Sequence, residues 1–357
     1  MSFNANFPKT LKLLNSARPD IFPACAVGVS IRGDDHFASL GCGPDSLFDL
    51  ASITKVACTT TVLALAEQKG LISIDTAVKH FFPTFEDERV RLSHLLEHTS
   101  GLPAWLPLHN SFHDEAGLGT FNSRRTPALA RTQYEAEIIK SHNPNEFEKQ
   151  AVYSDLGFLL LGWALEIALK TPLDALFQEW VTHPASLESF QFLPVSPDVV
   201  PTENCPWRKR VLRGEVHDDN CFVLGGIAGH AGAFGNVRDT LRFGRIWLHA
   251  NMNNPLVAGF LTRETVMKYW TATKVPPHVR ALGWDGITPN SSSAGKFFSP
   301  GSRGHLGYTG TSLWIDPARK LIVTLLTNRV HPTRTNEKIK DFRPLFHDTL
   351  LSELGIG

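Results

Sequence analysis

The chain has 357 residues, of which 42% are hydrophobic and 20% charged, a composition that excludes a disordered chain. Lysine and arginine total 35, as do aspartate and glutamate, so the basic excess of a nucleic-acid binder is missing. At about 150 residues per domain, the length allows two domains or one large unit with an insertion.

Residues 7–17 predict a short first helix. Ala24 to Arg32 reads as a strand, Gly33-Asp34-Asp35 as a turn, and His36 to Gly41 as the hairpin partner. A helix is expected from Ser52 to Lys69, stopped by Gly70. It is apolar on nearly every face, which places it in the middle of a fold. From about 75 to 215, helical patches (Leu92 to Glu97, Gln133 to Lys140, Leu156 to Leu169, Leu173 to Val181) alternate with Pro-rich connections. Glycines 226, 229, 232 and 235 read as tight backbone turns. His305 to Ile315 and Lys320 to Thr327 are apolar, β-branched runs, joined by the turn signal Asp316-Pro317-Ala318-Arg319. A last helix runs from Asn336 to Leu354. The two ends close one sheet around the buried helix, an α+β architecture. The expected organisation is a single unit, 1–357. Residues 1–75 and 216–357 form its α/β lobe, and residues 76–215 a mainly helical lobe.

No run reaches 18 apolar residues, and Leu156 to Leu169 contains Glu166, so no membrane span is expected. The N-terminus has no apolar stretch of the length a secretory signal needs. The expected location is cytoplasmic, or periplasmic if the native gene is longer. Cysteines 25, 42, 58, 205 and 221 lack C-x-x-C spacing and form neither a disulfide framework nor a zinc site. A Cys25–Cys42 bridge between neighbouring strands is conceivable. The basic run Arg208-Lys209-Arg210, with Arg213, reads as a solvated face or loop.

Three stretches carry chemistry. Ser52-Ile53-Thr54-Lys55 is S-x-x-K, which sets serine and lysine on one face of a helix. A serine hydroxyl is a weak nucleophile and needs a base beside it. At a helix start, backbone N–H groups favour a developing oxyanion. A second match, Ser293 to Lys296, lies in a Ser/Gly loop and reads as chance. Tyr153-Ser154-Asp155 precedes an apolar helix. A tyrosinate there, held by a nearby lysine, could take the Ser52 proton, and the plain alternative is a helix start with Asp155 as N-cap. His305-Leu306-Gly307-Tyr308 opens a strand. His305 could contact a substrate carboxyl or assist proton transfer, and the glycines let a substrate approach the sheet edge.

Together, in this order, the three resemble the serine β-lactamase and penicillin-binding-protein superfamily, in its class C-like, esterase and D,D-carboxypeptidase branch. Leu95-Leu96-Glu97-His98-Thr99-Ser100-Gly101-Leu102-Pro103 fits the same resemblance. It implies a β-lactamase/transpeptidase-like fold: an antiparallel sheet flanked by helices, plus a mainly helical lobe. It also implies an acyl-enzyme on Ser52, with Lys55 holding charge near it and Tyr153 as general base. The backbone N–H groups of Ser52 and Tyr308 would form the oxyanion hole. Asp155, His305 and Gly307 would orient substrate. No cofactor or metal is implied. The partner is a small ester, amide or peptide, with no nucleic acid and no membrane.

Two residues depart from the pattern. Asp155 stands where the family usually has Asn, and a carboxylate cannot donate a hydrogen bond to a substrate carbonyl. His305 stands where many β-lactamases have Lys and attracts a carboxylate less. Two further stretches, Glu215 to Gly232 and Thr327 to Pro332, are similar to D,D-carboxypeptidase-like and esterase-like members. Within the second, Arg329 could pair with a substrate carboxylate through its planar fork. The expected activity is carboxylesterase or D,D-peptidase-like amidase, with β-lactamase or a non-catalytic binding scaffold as alternatives. His94-Leu95-Leu96-Glu97-His98 also matches a zinc-protease pattern, H-x-x-E-H. Trp105, Trp207 and Trp284 are candidates for a hydrophobic acyl pocket or for core.

Overall fold

The computed structural model describes residues 3–112, 126–257 and 259–357. Its centre is a six-stranded antiparallel sheet. The strands are β1 (Cys25–Ile31), β2 (Asp34–Leu40), β3 (Asp285–Gly286), β4 (Arg303–Leu306), β5 (Ser312–Asp316) and β6 (Leu321–Thr327), in the order β2-β1-β6-β5-β4-β3. The chain's two ends meet at the β1–β6 pair, where Cys25 faces Thr327 and Ile31 faces Leu321.

Strands β1, β5 and β6 read as largely apolar runs because both faces of the sheet are covered there. Val27, Val29, Trp314, Leu321, Val323 and Leu325 point to one face. There the N-terminal helix Pro8–Ser16 and the C-terminal helix Ile339–Glu353 pack on them. Ala26, Leu313, Ile315, Ile322 and Leu326 point to the other face and join the larger core. The alternation follows the two-residue period of a strand. Helix Val237–Asn251 crosses that second face. It approaches closely at Gly244, where a Cβ would lie 2.9 Å from Ile322.

The run from His305 to Ile315 is two strands, not one. It breaks at Gly307–Gly310, where Gly310 has φ +109, and the halves pair as a hairpin, Leu306 opposite Ser312. The buried helix starts as a π-helical stretch, Lys55–Thr60, and continues as α-helix Thr61–Gln68. Every residue of the first stretch is buried. Helix Asp155–Leu169 packs against it. Their contact with the 226–235 segment is tight: a Cβ at Gly229 would lie 3.0 Å from the Gly162 nitrogen, and the Thr59 hydroxyl donates to the Gly229 carbonyl at 2.7 Å. Cys25 and Cys42 carry free thiols.

Arg208 is not solvated. It is buried, ion-paired to Asp219 at 2.7 Å and bonded to the carbonyls of Val216 and His217. Asp219 also meets Arg334, which pairs with Glu203, and Glu203 lies 3.2 Å from His217. The network ties the 203–219 segment to the loop that follows β6. Burial alone would raise the Glu203 carboxyl, but hydrogen bonds from His217 and Arg334 outweigh it and hold its pKa at about 2. A depressed carboxyl adds stability above its unfolded value and loses it as pH falls toward the folded value. Melting temperature should therefore drop steeply between about pH 4.5 and pH 2. In Glu203→Gln, scanning calorimetry should find a lower melting point at neutral pH and a flatter fall over that window.

Candidate active site

Ser52 lies one residue after a strained position. Ala51 has φ +47, in the left-handed region where a Cβ is disfavoured. Its N–H donates to Asp49 Oδ1 at 2.8 Å, and Asp49 Oδ2 accepts from the His217 N–H at 2.7 Å. The turn that presents the serine is thus held by one buried carboxylate.

Lys55 is fully buried, and its ammonium has three hydrogen-bond acceptors. They are Ser52 Oγ at 2.9 Å, Asp155 Oδ1 at 2.6 Å and the His230 carbonyl at 3.1 Å. An ammonium has three N–H bonds, so all are used. The Tyr153 ring lies 4.9 Å from Nζ. Burial pushes the lysine pKa down, but the Asp155 charge and the Tyr153 phenol outweigh it, and Lys55 ends above its ordinary value. Burial pushes the Tyr153 phenol up. Lys55 and Ser52 pull it back while Asp155 pushes the same way as burial, leaving it above its ordinary value. At neutral pH the resting site therefore holds an ammonium and a neutral phenol.

The Tyr153-Ser154-Asp155 stretch is pinned from the 98–104 segment. The Ser154 N–H donates to His98 Nδ1 at 2.9 Å, the Ser154 hydroxyl to the Pro103 carbonyl at 2.6 Å, and the Asp155 N–H to the Ala104 carbonyl at 2.9 Å. Ser154, not Asp155, caps the helix, accepting from the Gly157 N–H at 3.3 Å. This leaves the Asp155 carboxylate free for Lys55, so it is the lysine's counter-ion and not an N-cap. His98 packs its ring on Tyr153, 4.7 Å between centroids. Helix Leu92–Leu96 ends before His98, which has φ +62. His94 accepts from the Arg91 N–H through Nδ1. The H-x-x-E-H spacing therefore does not lie on one helical face, and no group of metal-ligating side chains occurs among the described residues.

The β4–β5 turn closes over the Ser52 turn. The hydroxyls of Thr309 and Thr311 donate to the Asp49 and Leu50 carbonyls at 2.8 and 3.0 Å. A Cβ on Gly307 would lie 2.6 Å from the Leu50 carbonyl oxygen and 3.2 Å from the Ala51 Cβ, so only glycine allows this approach. Among the described residues, the N–H groups of Ser52 and Tyr308 have no acceptor. His305 is buried against the Tyr153 ring at 5.9 Å. Its Nδ1 meets the Leu306 carbonyl at 2.8 Å, and its Nε2 has no partner. Burial pushes its pKa down to about 4, so it is neutral at pH 7.

Arg329 does not offer its fork to the cleft. Nε donates to the Tyr308 carbonyl at 2.6 Å and Nη1 to the carbonyls of Arg334 and Asn336. The guanidinium stacks on the Tyr308 ring at 4.2 Å. Trp284 is core, parallel to Phe243, whereas Trp105 is 46% exposed. The second S-x-x-K packs on the C-terminal helix: the Ser293 carbonyl lies 3.0 Å from His347 Nδ1, and the Lys296 N–H donates to Asp348. Sequence reasoning missed Arg280, whose guanidinium lies 5.2 Å from the Tyr153 ring and pairs with Asp285. It also missed the His230 carbonyl. Neither belongs to a motif with its partner, so no spacing pointed to them.

A model of the Beta-lactamase family matches residues 17–346, and the chain belongs to that family. A relative from Escherichia coli (strain K12), named "Putative D-alanyl-D-alanine carboxypeptidase", is 27% identical over 314 residues, 80% of this chain and 70% of its own. Among solved structures, the hydrolase EstCE1 with promiscuous acyltransferase activity superposes with TM-score 0.73 at 19% identity, covering 96% of this chain and 99% of its own. A class C β-lactamase from Rhodobacter sphaeroides superposes with TM-score 0.67 at 18% identity, covering 98% of this chain and 99% of its own. The fold is the β-lactamase/transpeptidase-like one.

The geometry makes Asp155 a setting for Tyr153. Lys55, Ser52, Asp155, His98, His305 and Arg280 all face the phenol. Asp155→Asn removes the one anion among them and leaves the ammonium uncompensated. The phenol then ionises more easily, and the rising limb of a kcat/KM–pH profile on a neutral ester should move down by about one pH unit or more. An unmoved limb would mean that Asp155 does not govern the tyrosine.

Proposed function

We propose that this protein is a metal-independent serine hydrolase that works through an acyl-enzyme on Ser52 and prefers neutral carboxylic esters. The observation that carries the reading is the Lys55 ammonium bonded to Ser52 Oγ beneath the Tyr153 ring, beside two acceptor-free backbone N–H groups. Lys55 cannot be the base while charged, so the proton path runs through Tyr153. Tyr153 first loses its phenol proton to solvent, and as tyrosinate it takes the Ser52 proton while Oγ bonds to the acyl carbon. The carbonyl π electrons move to oxygen, which rests on the N–H groups of Ser52 and Tyr308. The carbonyl re-forms, the C–O bond to the leaving alkoxide breaks, and the alkoxide takes the proton from Tyr153. Water repeats the sequence and releases the acid.

Charge supports ester over carboxypeptidase chemistry. A terminal carboxylate needs a cation, and those around Tyr153 and Tyr308 are engaged. Lys55 pairs with Asp155, Arg280 with Asp285, and Arg329 is spent on carbonyls. His305 is neutral. The relative's name supports the second reading, a D,D-peptidase-like amidase, and β-lactamase stands behind both.

Incubation with a penicillin and, separately, a short nitrophenyl ester tests the three readings, followed by protein mass and product release. The expected result is rapid nitrophenol release by the native protein and loss of turnover by about a thousandfold or more in Ser52→Ala. A lasting penicillin adduct on Ser52 with poor ester turnover would favour the peptidase. Penicillin loss without an adduct would favour β-lactamase. Full activity in Ser52→Ala would sink the mechanism.

A further inference from the structure

Arg343 is an arginine 6% exposed, in the C-terminal helix, with no carboxylate within ion-pair distance among the described residues. A buried, uncompensated cation is costly, so its partners matter. Its Nη2 donates to the Gly307 carbonyl at 2.8 Å and to the Thr311 carbonyl at 3.1 Å, and its Nε has no partner. The Gly307 carbonyl also accepts from the Gly310 N–H at 3.1 Å. Both of its lone pairs are thus filled, one by a cation. That carbonyl belongs to the same peptide group as the Tyr308 N–H, which is bare. On the next peptide, Arg329 donates to the Tyr308 carbonyl. Two cations therefore stand behind one turn, and each touches its backbone.

Donors on a carbonyl draw electron density along the peptide and make its N–H a stronger donor. We propose that Arg343 is a positioning residue that acts through the Gly307–Tyr308 peptide. It aligns and polarises the Tyr308 N–H, so that this group binds a developing oxyanion more strongly than an ordinary amide. The proposal rests on the reading of Ser52 and Tyr308 as the oxyanion hole. Arg343 touches no substrate. Burial and the Arg329 charge push its pKa down to about 9, which leaves it charged at neutral pH.

The test compares Arg343→Met, which keeps length without charge, with Arg343→Lys, which keeps the charge. Two readouts are taken on each. The first is the Tyr308 amide 15N–1H shift in the unliganded protein. The second is the carbonyl stretch of the Ser52 ester formed with a nitrophenyl ester, together with kcat and KM. In Arg343→Met the amide should move upfield, the acyl carbonyl should shift to higher frequency, and kcat should fall roughly tenfold at little-changed KM. Arg343→Lys should restore much of each. If Arg343→Met does not fold, Arg343→Lys against the native protein carries the comparison: native-like shift and frequency support polarisation by charge, and full loss of both overturns it. An unmoved amide in folded Arg343→Met also overturns the proposal, while Ser52 acylation stands. If the amide moves but the native protein forms no Ser52 ester, the oxyanion-hole reading falls and takes the catalytic role of Arg343 with it.

Discussion

One buried ammonium organises the centre of this molecule. Lys55 has no exposed surface, and a lone charge there would be intolerable. Its three hydrogen bonds answer that cost and draw three segments together: the Ser52 turn, the start of helix Asp155–Leu169, and the 226–235 segment. Each supporting detail follows. Ser154 takes the capping role, so Asp155 is free to be a counter-ion. The Thr59 hydroxyl and Gly229 bring the third segment close. Removing Asp155 would leave the Lys55 charge buried without its counter-ion, whereas Asp155, 21% exposed, keeps contact with water.

The second constraint joins the sheet to this centre. The β4–β5 turn is fastened to residues 49–50 by two threonine hydroxyls, and Gly307 removes the side chain that would hold them apart. Asp49 fastens the Ser52 turn from beneath. The turn that carries the Tyr308 N–H is thereby held against the residues just before Ser52. Such a site costs local strain, visible at Ala51, and the surrounding packing supports it.

Much of this was legible in the chain. Apolar, β-branched runs marked the strands, and S-x-x-K placed Ser52 and Lys55 together because a helical turn is local geometry. What failed was everything decided by a distant partner. Asp155 looked like an N-cap because nothing local announces an ion pair with Lys55. Arg208 looked solvated because Asp219 and Glu215 reach it only after the chain folds back. Arg329 looked like a substrate anchor, yet three carbonyls at the end of the sheet claim it. The hairpin at 307–310 was hidden inside an apolar run whose turn is set by tethers from residues 49–50. In each case residue type was readable, and the partner was not.

Asp155 also sets the charge balance at the cleft on which the proposed ester preference rests. With an amide at that position, Lys55 would leave a net positive charge facing the cleft. With the carboxylate, lysine and aspartate cancel, and Asp155 itself is 21% exposed. His305 adds no charge, since its burial keeps it neutral, and Arg280 is balanced by Asp285. Arg329 and Arg343, which pair with no carboxylate among the described residues, sit behind the turn and touch its peptide groups. Positive potential is therefore focused on the place where an oxyanion would form and withheld from the place where a substrate's own carboxylate would sit. On the proposed reading, such a site would gain most from a reaction that creates negative charge during turnover and least from a substrate that brings it, the balance on which the esterase proposal rests.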